Sequence, residues 1–407
     1  MTNLNISSLL VLQSTLLTDT LMGFAVALIL AALCGEYLYR KLGWPRIMGY
    51  VLVGLVSSMA GIGYDEASLP AEFRVVMDLA LALLLFELGV RINLKWLKAN
   101  PWLIATSLFE ASLSFAVVML VLHFFGLEWR ASMAIATICM ATSPAIVMRV
   151  VSESRAEGQI SERLTLLTGL NSIYAILATK VVMSWVQIGM DGALLKTMLQ
   201  PAYALFGALL LAVVLTWAML HVVRYFKLSQ ENSLLLIFGL LLLTTTVARV
   251  LQVSVILVPL LAGILLRSQT DRPLIWPRHF GTAGGILVAL LFVFTGLSIR
   301  PQLFLTGGLA AVALILLRAG AKTAGVVVFA HPSGLTLRQG LSLGLALSPL
   351  SAVAFSQVVD FQSLLPEFSG QLAPFVLSAV AFTELLGPLL VLWALRRCNE
   401  THIGDVD

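Results

Sequence analysis

Charged side chains are scarce in this sequence. They make up 11% of 407 residues, against about a quarter in soluble domains, while 59% are apolar and the mean hydropathy is +0.97. So few charges cannot coat a water-exposed surface, which excludes an ordinary soluble domain. The formal charge of +4 and pI near 9.0 come from dispersed basic residues with no aromatic-interleaved patch, so no nucleic-acid partner is expected. Cysteine is nearly absent. Cys34, Cys139 and Cys398 have neither metal nor redox spacing, so no disulfide framework and no resident metal site is expected. Phosphate loops and nucleophile–base–orienter sets are also missing, so neither an enzyme nor a cofactor is expected. Residues 1–19 contain no Lys or Arg, unlike a signal peptide, and the first apolar span is expected to be retained. No loop is long enough for a soluble domain and only ten residues follow Arg397, so nucleotide or redox control would require a separate regulatory subunit.

Long apolar runs are abundant. At about 20 residues per crossing, thirteen spans are centred near residues 29, 52, 83, 112, 140, 176, 212, 241, 261, 290, 316, 348 and 383, with the weakest boundary between the eighth and ninth. Alternate loops then hold 17 basic residues on one side and 5 on the other, the remaining three, Lys180, Arg318 and Lys322, falling inside spans. The positive-inside rule places the N-terminus outside and the C-terminus in the cytoplasm. The expectation is an all-α polytopic protein of the lipid bilayer, in a bacterial inner membrane.

Two of the apolar runs carry a Ser-Pro pair. Ala141-Thr142-Ser143-Pro144 and Ala346-Leu347-Ser348-Pro349 stand 205 positions apart in spans five and twelve. Proline removes a backbone donor, clashes with the preceding turn and pushes its predecessor out of helical angles, so both helices should break. In hydrocarbon such breaks are tolerated only against protein or a watery cavity, and a matched pair points to a transporter's binding site. A second echo, Phe86-Glu87-Leu88-Gly89-Val90-Arg91-Ile92 against Phe294-Thr295-Gly296-Leu297-Ser298-Ile299, places its glycines 207 apart. Each echo spans seven crossings, so the copies run oppositely. The expected organisation of the single transmembrane domain, residues 1–407, is an inverted repeat: residues 20–188 and 232–396, joined by a linker helix at 200–226.

Ionisable residues inside a bilayer are expensive and are functional candidates by default. Lys322 could carry a proton or clamp unwound carbonyls. Arg318, four residues earlier on the same helical face, stays charged and suits anchoring or anion attraction. Glu110 lies in span four, the repeat counterpart of Lys322's span. Pairing with Lys322 or Arg318 would satisfy it. Glu87 with Arg91, and Glu36 with Arg40, have the i, i+4 spacing of surface salt bridges. Glu384 and Lys180, 204 apart, either pair or each face a cavity, and Asp78 is expected to reach solvent. Thr142, Ser143, Ser348, Asn171 and Ser172 offer hydroxyl and amide oxygens at or near the breaks, hard ligands suited to an alkali cation. Singly, Ser and Thr also serve to bond back to helix carbonyls.

Gly43 to Gly54 (GWPRIMGYVLVG), Leu83 to Leu94 (LLLFELGVRINL), Thr142 to Arg149 (TSPAIVMR), Leu291 to Ile299 (LFVFTGLSI) and Gly340 to Ser356 resemble the monovalent cation:proton antiporters of the Kef and Nap type. The resemblance covers about residues 20–395. It implies a sodium/proton antiporter fold in which two broken helices cross near the midplane, a core domain beside a dimerisation domain, hence a homodimer, and exchange of Na+ or K+ for protons. It also places Lys322 on the lysine that pairs with the ion-binding carboxylate in many relatives. One departure is plain: where the family carries that acid in span six, this chain reads Gly169-Leu170-Asn171-Ser172-Ile173-Tyr174. Glu110 is therefore the candidate replacement. The expected function is secondary active exchange of a monovalent cation for protons by alternating access. The alternatives are an anion transporter on the same fold, which the inward half-helix N-termini beside Lys322 and Arg318 would suit, and a transport-inactive sensor or assembly subunit.

Overall fold

A computed structural model describes residues 20–62, 71–191, 194–226, 230–269, 280–299, 301–350, 352–364 and 373–402. Lys227, Arg272, Arg278 and Arg300, four of the basic residues counted for orientation, lie outside the described residues. In order the helices are α1 (Thr20–Leu42), α2 (Arg46–Ser57), α3 (Ala71–Arg91), α4 (Leu94–Ala99), α5 (Pro101–Phe124), α6 (Trp129–Met140), α7 (Pro144–Glu153) and α8 (Gln159–Asp191). They continue as α9 (Leu194–Phe226), α10 (Gln230–Val250), α11 (Leu257–Gln269), α12 (Phe280–Ser298), α13 (Pro301–Val328), α14 (Leu337–Ala346), α15 (Ala352–Leu364) and α16 (Ala373–Arg397). A helix or helix break lies at every centre expected from the sequence. Among the described residues, eight helical stretches are long and apolar enough to cross a membrane, and the shorter apolar stretches include Arg46–Gly61, Leu257–Gln269 and Gly284–Ser298. Residues 251–256 separate α10 from α11, so the weakest boundary is a real turn.

Burial sorts these helices. The apolar window of α1 is 17% buried, whereas that running from α6 through α7 is 94% buried. Ile29, Leu30 and Leu33 on α1, and Leu210, Val214 and Trp217 on α9, point outward, as side chains facing lipid do. The helices that carry the two breaks and the buried charges pack on one another instead. α13 lies against α5, α14 and α16, and α6 against α5 and α8.

Two glycine crossings set the close approach on the other side. Gly54 of α2 faces Gly296 of α12, and Gly89 of α3 faces Gly263 of α11; a Cβ at any of the four would collide with the facing backbone. Small residues at crossings are how helices approach closely in lipid. The glycines paired by sequence echo, Gly89 and Gly296, thus each sit in a crossing, with partners that are themselves 209 positions apart.

Candidate ion site at the paired helix breaks

Both Ser-Pro motifs interrupt their helices. Ala141 and Ser143 are extended (ψ 151° and 108°), Pro144 takes the first helical position of α7, and the Ser143 hydroxyl accepts the Ile146 N–H at 3.2 Å. This is an N-cap followed by a proline that loses no hydrogen bond there. In the second copy α14 ends at Ala346, after a Thr336–Gln339 capping box at its start, and residues 347–350 leave the helix.

The broken segments satisfy one another. The Ser143 N–H donates to the Pro349 carbonyl at 2.8 Å, and the Thr142 hydroxyl donates to the Leu347 carbonyl at 2.9 Å. The carbonyls freed at the C-terminal ends of α6 and α14 need further donors, because a buried acceptor without one is costly. Arg318 supplies several. Its Nε donates to the Cys139 carbonyl at 2.8 Å, and its two terminal nitrogens donate to the carbonyls of Ser348 and Ala141. The Lys322 Nζ reaches the Met140 carbonyl at 3.0 Å. A positive group at each helix C-terminus also opposes the negative end of its dipole.

The carboxylate arrives from α5. Glu110 and Lys322 are both fully buried and pair at 2.9 Å, while Asn171 of α8 donates through Nδ2 to Glu110 at 2.5 Å and to the Thr142 hydroxyl at 3.2 Å. Asn171 is thus a bridge from the acid to the first break, and its Oδ1 is buried with no partner. Gly325, one turn beyond Lys322, lets α13 lie directly on Glu110, where a Cβ would come within 2.5 Å of the Glu110 Cα.

Of the residues singled out from the sequence, Thr142, Ser143, Pro349, Asn171, Glu110, Arg318 and Lys322 come together through these bonds, and Pro144 begins α7 beside them. Ser348 joins through its carbonyl, its hydroxyl being buried and unpartnered. Ser172 does not join: its hydroxyl donates to the Thr168 carbonyl of its own helix at 2.9 Å, since the next residue on a helix is rotated away from Asn171. Lys180 does not pair with Glu384. It pairs with Asp360 of α15 at 2.9 Å, while Glu384 is buried with Oε2 unpartnered. Asp78 is half-buried and pairs with the exposed Arg249 of α10, so it reaches solvent in part and also has a partner. Glu36–Arg40 and Glu87–Arg91 form at 2.6 and 2.9 Å, and Glu36 also holds Arg46 at 2.8 Å.

Asp360, Gly325 and the carbonyls of Cys139 and Met140 escaped the sequence argument. Asp360 stands eleven residues beyond Pro349 in a helix read as plain apolar span, and its acidic side chain was the available signal. A cavity of about 730 Å³, lined in part by Arg91, Asn93, Glu157, Glu162, Thr165 and Arg267, opens beside the start of α8. Thr165 precedes Asn171 by six residues, about 9 Å of helical rise.

The transmembrane sodium/hydrogen exchanger family model matches residues 26–397. The chain is 23% identical over 406 residues to the iron transporter MagA of Paramagnetospirillum magneticum, covering 93% of this chain and 87% of that protein. It is 24% identical over 380 residues to the chloroplastic K(+) efflux antiporter 1 of Arabidopsis thaliana, covering 88% of this chain but only 31% of that protein. Among solved structures, the sodium proton antiporter MjNhaP1 of Methanocaldococcus jannaschii at pH 8 aligns with a TM-score of 0.66 at 16% identity, over 93% of this chain and 95% of that one. That likeness establishes the fold.

Proposed function

The chain belongs to the sodium/hydrogen exchanger family, and from that premise we propose that it exchanges a monovalent cation, Na+ or K+, for protons across a membrane by alternating access. The observation that carries the proposal is the buried Glu110–Lys322 pair, held against the first break by Asn171 and Thr142. Glu110 takes the place of the acid that span six lacks. A dehydrated alkali ion arriving there would meet the Glu110 carboxylate, the Thr142 hydroxyl and the unpartnered oxygens of Asn171 and Ser348, all hard donors. Its charge would displace the Lys322 ammonium, which sheds one proton to restore local neutrality. Proton rebinding at Lys322 on the other side then expels the cation from Glu110. At this pair one proton is exchanged for one cation.

Arg318 keeps its charge throughout and serves as the clamp on both breaks. An anion carrier is less favoured, because the bonds of Arg318 and Lys322 go to carbonyls and a carboxylate. Iron, named for one relative, suits this donor set poorly, since the soft and imidazole ligands that iron sites commonly use are missing from it. We place the N-terminus outside, and read the swapped glycine crossings as the mark of two inverted copies. The cavity beside Thr165 then opens to the cytoplasm, where it would admit ions toward Asn171.

The test is proton flux in proteoliposomes on addition of sodium, potassium or lithium. The expected result is flux with at least one ion in the parent and none in Glu110→Gln. Silence with all three from mildly acid to alkaline pH overturns the proposal.

A further inference from the structure

The second break packs against α16, whose buried acid Glu384 is left unused by exchange at Glu110. Glu384 is 2% exposed at the middle of α16, and its Oε2 has no partner. The groups on the helices packed against α16 are otherwise engaged or distant. On α13, Arg318 and Lys322 hold the breaks and Glu110. On α7, Arg149 pairs with Glu153 at 2.7 Å, and on α15, Asp360 pairs with Lys180. On α2, Arg46 pairs with Glu36 and stacks on Tyr39, Tyr50 being the other titratable group; α14 carries only Arg338, which is exposed. No ion pair reaches Glu384 among the described residues. An ionised carboxylate so placed would be far less stable than the neutral acid.

Its neighbours on α16 touch the second break. The Thr383 hydroxyl accepts the Leu350 N–H at 3.3 Å, and Gly387 sits so close to Pro349 that a Cβ there would come within 2.8 Å of the proline ring. The same broken helix carries orphaned polar atoms: the Ser348 hydroxyl and both amide atoms of Gln357 are buried without partners. Buried polar atoms are normally satisfied by protein or water. These would find partners in a conformation that admits water along the second broken helix.

We propose that Glu384 is a second proton-carrying residue of the exchange cycle, protonated when the second broken helix is packed and deprotonated when that helix admits water. The carboxylic O–H bond breaks, the proton passes to water on one side, and the carboxylate recovers a proton from the other. This rests on cation/proton exchange at Glu110. With the Lys322 proton it gives two protons per cation, so each turnover moves net charge.

Glu384→Gln keeps the shape and the neutral form, and therefore the packing. In proteoliposomes the variant should still exchange, with stoichiometry falling from two protons per cation to one and flux losing its response to an imposed membrane potential. An unchanged stoichiometry and voltage response overturn the proposal. Infrared spectroscopy of the purified protein gives a readout independent of transport. A carboxylic-acid band present at neutral pH, lost at alkaline pH and missing in Glu384→Gln supports a releasable proton. A band that is absent, or that persists at every pH, counts against it. If the parent moves no protons with any cation, exchange at Glu110 fails, and the infrared titration still decides whether Glu384 gives up its proton.

Discussion

At the first break, Thr142 is bonded through Asn171 to Glu110, Lys322 closes the pair, and Ser143 caps α7. At the second, the equivalent Ser348 hydroxyl touches no partner, a threonine from α16 holds the backbone, and the nearby acid has no counter-ion among the described residues. The same Ser-Pro chemistry breaks both helices. It does not decide what surrounds them. Opposite charges gather at the first break and unpartnered polar groups at the second, and Arg318 from α13 spans both. The same Ser-Pro motif can thus break a helix in two quite different electrostatic surroundings.

The charged half breaks most severely. Glu110→Ala strands the Lys322 ammonium in a dry interior and should cost about 3–5 kcal/mol, read as a loss of thermal stability in detergent. Glu110→Ala combined with Lys322→Met should recover much of that stability and no exchange. If the single variant is as stable as the parent, the pair is not the centre of the first break.

A smaller effect is expected at the second break. Thr383→Val removes the hydroxyl that receives the Leu350 N–H and leaves that donor buried, a loss of about 1–3 kcal/mol. Hydrogen exchange should quicken around residues 347–350 while the first break stays protected. Equal loosening of both would show that they behave as one unit. The smallest effect separates the two serines. Ser143→Ala loses a helix cap and should cost about 1 kcal/mol, whereas Ser348→Ala deletes an unpartnered hydroxyl and should fall within about 0.5 kcal/mol of the parent. In flux assays Ser348→Ala should instead raise the cation concentration needed for half-maximal exchange.

Much of this was legible along the chain. Proline has local effects, so Pro144 and Pro349 located the breaks without knowledge of the neighbours. The cost of charge in lipid made Glu110, Arg318 and Lys322 conspicuous, and a helical spacing of four placed the latter two on one face. Pairing across helices was harder to see. Lys180 chose Asp360 over Glu384, and Asp78 chose Arg249, because contacts between distant helices depend on rotation and depth, which periodicity does not specify. Ser172 and Asn171 are adjacent in the chain, yet about 100° of helical rotation sends one hydroxyl to Thr168 and the other side chain to Glu110.

By itself the sequence determined a membrane-embedded helical chain with two proline breaks and a few costly charges, because hydropathy, proline geometry and charge solvation act residue by residue. Only the tertiary structure decided that Arg318 would satisfy both breaks, that Asn171 would join Glu110 to Thr142, and that Glu384 would find no ion pair among the described residues. Those outcomes depend on which atoms of separate helices come within hydrogen-bond distance once the helices pack.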